Sequence, residues 1–153
     1  MWSTELEQRI SLERAVLKQH SLDQFEVYWD QTETRYYGYG VATTNAGRRY
    51  TLYLYIPDNF PYARPSLYIT DPRPLLMHNG QSVASLGTSH AMHTLSPANG
   101  CVQICHWRDE RWHSSILLYK VFLKGLLWLE AFQHHLATGE PVSQFVSTMV
   151  GVL

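Results

Sequence analysis

Apolar residues recur along this chain first at helical spacing and then in alternation. Leu6, Ile10 and Leu17 fall on one face of a segment, with Glu5, Glu7, Arg9 and Glu13 spread over its other positions. That pattern predicts a surface helix from about Glu5 to Gln19. Thr4 and Glu7 stand at capping-box spacing before it. In FEVYWD, residues 25–30, Phe25, Val27 and Trp29 alternate with polar positions, as in a half-buried strand. TRYYGYGVAT and RYTLYLYI follow, joined by a turn at Asn45-Ala46-Gly47. In the second of these, Tyr50, Leu52, Leu54 and Ile56 share a face. SLYIT, beyond a proline-rich corner, reads as a fourth strand. Consecutive strands with tight turns are most simply arranged as a four-stranded antiparallel meander.

The periodicity lapses over residues 71–114, which read as one long loop. A loop of that length inside a compact domain is usually functional or disordered. This one holds both cysteines and five of the eight histidines. Beyond Trp112 a broad apolar stripe of Ile116, Leu117, Val121, Leu126, Leu127 and Leu129 predicts a helix reaching about Ala137. Gly139 and Pro141 stop it. A short helix from about Val142 to Val150 closes the chain. Without repeats or low-complexity tracts, residues 1–153 read as a single α+β domain.

Composition narrows the classes of function. Hydrophobic residues make up 45% of the 153 residues, enough for a packed core. Lys and Arg number 12 against 13 Asp and Glu. The chain therefore has neither the basic face expected of a nucleic-acid binder nor a polybasic membrane patch. No run of about eighteen apolar residues predicts a membrane span. The opening MWSTELEQRI has no apolar leader pattern, and two cysteines do not make a secreted disulfide scaffold. Both features point to the cytoplasm.

GCVQICHW, residues 100–107, contains both cysteines of the chain. Three readings compete. Cys101 and Cys105 could be buried filler or a reversible disulfide pair. With His90 and His93 they could form a zinc-type ligand set. One of them could be a catalytic nucleophile, since a thiolate both attacks and leaves well. A papain-like arrangement fits poorly, because that chemistry starts a helix with its cysteine and here a loop intervenes.

A proline corner and the loop landmarks after it carry a family resemblance. YTLYLYIPDNFPYARPSLYIT, residues 50–70, resembles the third strand, proline turn and fourth strand of ubiquitin-conjugating enzymes. His93, Gly100, Ile104-Cys105 and Trp112 follow in the order of that family's landmarks, and WHSSILLYKVFLKGLLWL resembles its Trp and following helix. KGLLWLEAFQHHLATGEP resembles the stand-alone bacterial members, which sit in anti-phage operons of the CBASS type beside a cyclic-nucleotide synthase. The resemblance spans nearly the whole chain and implies a UBC-like fold. It implies a cysteine thioester with the C-terminus of a ubiquitin-like or other tail-bearing protein, passed on to lysine in bacterial antiviral defence. The implied partners are that tail, the cyclic-nucleotide synthase and a separate activating enzyme. No cofactor is implied, since ATP use belongs to the activating enzyme, and no phosphate-binding glycine loop is present.

Carried over residue by residue, the resemblance makes Cys105 the nucleophile, because it follows Ile104 and precedes Trp112 by seven residues. Cys101, directly after Gly100, is the second choice. His93 would hold the active-site turn. His106 would either recognise or deprotonate an incoming amine or be a surface histidine. Trp107 and Trp112 would pack the loop on the long helix. Glu5, Arg9 and Phe60 occupy the family's docking surface by position. The chain departs from the family at His93-Thr94-Leu95, where the family has His-Pro-Asn. Asn99 or Asn79 would have to fold back to supply the missing oxyanion donor. Residues 71–93 also form a longer insertion than in the eukaryotic enzymes, placed to cover the site or dock a partner. A member lacking a working site would be a binding module, and that non-enzymatic reading stands beside the first.

Overall fold

The computed structural model describes residues 4–149. Helix α1 (Thr4–Gln19) leads into strands β1 (Phe25–Asp30), β2 (Arg35–Thr43), β3 (Arg49–Tyr55) and β4 (Ser66–Asp71). Two further strands follow, β5 (Thr94–Ala98) and β6 (Cys101–Ile104), and then helices α2 (Leu118–Thr138) and α3 (Val142–Met149). All pairings are antiparallel, in the order β1-β2-β3-β4-β6-β5. The architecture is α+β, as expected, with helices before and after the sheet. Thr4 is already helical, one residue before the predicted start, and the predicted end at Val150 lies outside the described residues.

The sheet has six strands rather than four, because the long loop contains a hairpin. Asn99 and Gly100 form its two-residue turn, with φ of 53° and 75°, and Ala98 pairs with Cys101 across it. Positive φ at both central positions is what the right-handed strand twist selects, and Asn-Gly is the pair that tolerates it best. β6 then docks on β4, with Leu67 opposite Ile104. Strands this short, one of them containing Pro97, present too little alternation to read as a pattern.

The core lies between the sheet and α2. Leu52, Leu54, Leu67 and Ile69 face Val121, Phe122, Trp128 and Phe132, and all are at most 1% exposed. The buried stripe of α2 runs through Leu118, Val121, Phe122, Gly125, Trp128 and Leu129. Leu126 and Leu127, predicted in it, are only half-buried. At Gly125 an added Cβ would stand 2.7 Å from Leu67 Cδ2, so glycine lets the helix close on the sheet. Gly139, at φ 79°, ends α2 with its N–H on the carbonyl of His135 at 2.7 Å.

Glu13 departs from the amphipathic reading of α1: it is fully buried on the same face as Ile10 and Leu17. Its carboxylate accepts from Arg9 Nε and from the N–H of Leu118, both at 2.8 Å. Leu118 opens α2, where no side chain from the flanking loop caps the helix. A carboxylate from a distant helix therefore meets an orphan donor at the positive end of the helix dipole. Arg9 also donates to the carbonyls of Ser114 and Ile116, and its guanidinium sits 5.2 Å from the centre of the Phe60 ring. Two of the three docking candidates are thus spent internally: Phe60 is 3% exposed, and Arg9 is committed to this clamp. Only Glu5 is exposed as expected.

The insertion is anchored rather than free. Leu75, Met77, Val83 and Met92 enter the core, and Trp128 Nε1 donates to the carbonyl of Met92 at 3.0 Å. His78 donates its backbone N–H to His135 Nε2 at 3.1 Å at the end of α2. No helix among the described residues is long and apolar enough to cross a membrane.

Candidate active site

β6 separates the two cysteines. Its alternation turns Val102 and Ile104 into the core, while Gln103 on the other face reaches Tyr68 and Ser96. Cys101 shares that outer face, where it is 7% exposed and lines a cleft with Tyr53, Tyr55, Tyr68 and Arg73. Cys105 stands beyond the end of the strand, half-buried. Four residues of extended chain span about 13 Å, beyond the Cα separation a disulfide accepts. Both thiols are free, so the disulfide expectation does not hold. Cys101, the second choice for nucleophile, lies on a different surface from His93 and Cys105.

Cys105 lies where two clefts meet. One, of about 220 Å³, is walled by Thr88, Ser89, His90 and His93. The other, of about 450 Å³, is walled by Trp107, Arg108, Arg111 and Lys124. His93, Cys105 and Arg108 belong to both. The end of the insertion thus flanks the thiol. The backbone N–H of Cys105 donates to the carbonyl of His93 at 3.1 Å, and His93 holds φ of 56°. His93 therefore secures the turn through its backbone, and the residue lines both clefts. Burial lowers the pKa of that ring, with the charges of His90, Lys124 and Arg108 acting the same way.

The proline corner and the segment after Cys105 are sewn together by three contacts. His106 Nε2 donates to the Pro65 carbonyl at 2.8 Å, Trp112 Nε1 to the Pro61 carbonyl at 2.9 Å, and Arg64 pairs with Asp109 at 2.8 Å. His106 is no surface histidine: it is 4% exposed, and its Nδ1 has no partner. Burial pushes its pKa down to about 3, with the Arg64 charge next in effect. A ring this reluctant to take a proton is a poor base for an incoming amine. Trp107 packs on α2 as expected, with Lys124 Nζ 3.4 Å from its ring centre. Trp112 meets Trp107 edge-on and anchors to the proline corner instead.

Neither asparagine reaches the thiol. Asn99 is the hairpin turn on the outer face, where its carbonyl accepts from Arg73. Asn79 is turned onto Gln81. Three cations act on Cys105 instead: burial raises its thiol pKa, and the charges of Arg64, Arg108 and Lys124 pull it back. Sequence reading passed over Lys124 as a site residue. Its signal was a single lysine between Val121 and Gly125, on the helix expected to pack beneath the loop. Among the described residues no group of three or more His, Cys, Asp or Glu could hold a metal ion. The His90, His93, Cys101 and Cys105 ligand set therefore does not assemble, as the separation of the two cysteines requires.

Chemically, the arrangement is a thiol at a cleft junction, in a positive field, with its backbone held on both sides. Comparison with protein-family models, with curated proteins and with solved structures returns no match.

Proposed function

We propose that this chain is an acyl carrier of the ubiquitin-conjugating kind, with Cys105 as its nucleophile. The observation that supports this most is the position of Cys105. It is the thiol open to the clefts, just past the strand that follows the Asn-Gly hairpin, and the proline corner is tied to the residues after it. In the first step the Cys105 sulfur attacks the carbonyl of an activated C-terminal thioester. Its S–C bond forms, the donor's S–C bond breaks, and the donor thiol leaves with the proton. In the second step a lysine amine attacks, a C–N bond forms, the Cys105 S–C bond breaks, and the amine proton returns to the thiolate. The donor is the tail of a ubiquitin-like or other tail-bearing protein, supplied by a separate activating enzyme. By resemblance, the setting is bacterial antiviral defence in the cytoplasm, beside a cyclic-nucleotide synthase.

The second reading is a binding module that holds the tail without chemistry. It is favoured by the absence of Asn79 and Asn99 from the site and by the raised Cys105 pKa. One experiment separates the two. The protein is incubated with a peptide ending in Gly-Gly as a mercaptoethanesulfonate thioester, and intact mass is recorded with and without dithiothreitol. A reductant-labile adduct that survives in Cys101→Ser and vanishes in Cys105→Ser is expected. Binding of the free peptide with no adduct in any form would replace the enzyme by the module.

A further inference from the structure

Lys124 stands apart from the other polar groups of α2. Its ammonium group donates to the carbonyl of His106 at 3.1 Å and lies 3.4 Å from the centre of the Trp107 ring. It therefore grips the two residues after Cys105 from the helix below, and it lines the same cleft as the thiol. A cation over an indole face is attracted by the ring quadrupole, and with the His106 carbonyl this holds the charge in place. We propose that Lys124 is the positioning residue of the Cys105 site. It pins the 105–107 segment to α2 and sets the positive charge that stabilises negative charge developing on the sulfur and on the attacked carbonyl oxygen. No asparagine is in place to do the latter.

The surrounding groups agree in sign. Arg64 approaches from the proline corner and Arg108 from the segment after the thiol. His93, His106 and Arg111 also line the cleft. The carboxylate of Asp109 is taken up by Arg64. Burial lowers the Lys124 pKa, Cys105 raises it, and Lys120, one turn earlier on α2, lowers it. Arg64 holds the segment farther along, at Asp109, whereas Lys124 joins its charge to a hydrogen bond on the residue next to the thiol.

The inference rests on Cys105 being the working thiol, but its test needs no acyl donor, so the two readings fail separately. In a Cys101→Ser background, the rate of Cys105 alkylation by iodoacetamide is followed from pH 6 to pH 10. Lys124→Gln should react about three- to tenfold more slowly at pH 7, with its rise in rate displaced to higher pH. Lys124→Arg should restore the parent profile, because a guanidinium keeps the charge, the donor and the stacking. Lys124→Met, which keeps the stem over Trp107, repeats the test should the glutamine variant melt early. Superimposable profiles for the parent and both neutral variants would overturn the proposal. So would failure of arginine to restore the profile.

Discussion

The backbone N–H of Cys105 donates to the carbonyl of His93, twelve positions earlier, across 3.1 Å. His93 makes that contact from the left-handed region, at φ 56°. L-residues pay about 1–2 kcal/mol there, and asparagine tolerates it better than most. His93→Asn should therefore keep thermal stability and Cys105 alkylation near the parent. His93→Val should lower stability by about 1–2 kcal/mol and slow or scatter Cys105 reactivity. Urea titration and thiol alkylation read both effects.

Asn99 offers a test of what the hairpin does. It forms the turn before Cys101, on the outer face of the sheet. Asn99→Ala should cost about 1 kcal/mol of unfolding free energy by removing a residue suited to left-handed backbone. Transfer from a Gly-Gly thioester should be unchanged, and a selective loss of transfer with stability intact would give Asn99 back an oxyanion role.

His106 should make the fold sensitive to acid. Its pKa is about 3 in the folded chain, against about 6.5 when unfolded. Between those values the unfolded state binds the extra proton, so stability falls as pH falls, by at most about 1.4 kcal/mol per unit. His106→Gln keeps an amide donor toward Pro65 and does not titrate. The stability of the parent relative to that variant should shrink from pH 6.5 downward in urea titrations, and a constant difference would sink the assignment.

Glu13 should act in the opposite sense. Burial raises its pKa above the ordinary carboxylate value, against the Leu118 and Arg9 contacts that lower it. The folded state then binds the extra proton, so this group's contribution rises as pH falls from neutrality through its folded pKa toward the unfolded value near about 4.3. The parent should gain on Glu13→Gln over that range. Glu13→Ala at pH 7 should cost about 3 kcal/mol, because it leaves a buried donor and a partly buried guanidinium unmatched. Chemical denaturation at several pH values checks both.

The first helix, four of the strands and both later helices were legible along the chain. Their apolar positions repeat at 3.6 or 2 over enough residues to stand out. Gly139 and Pro141 marked the end of α2 for the same local reason: backbone conformation is decided residue by residue there. The β5–β6 hairpin had one strong local sign, Asn99-Gly100, but its strands were too short to confirm it by alternation.

The family resemblance brought His93 and Trp112 to attention and put Cys105 ahead of Cys101. Local pattern by itself could not separate the two thiols, because which face of a strand a residue takes depends on what that strand pairs with. It placed Glu13 in solvent, because the partner that makes burial tolerable, the Leu118 N–H, lies 105 residues away. His106 and Lys124 follow the same rule. A surface histidine became a buried one, and an ordinary helix lysine became part of the site. The proline corner, the Cys105 segment and α2 meet only when the chain closes on itself. Periodicity along a chain records which side of an element is dry; which charges and carbonyls then meet across the core is set by packing between distant segments.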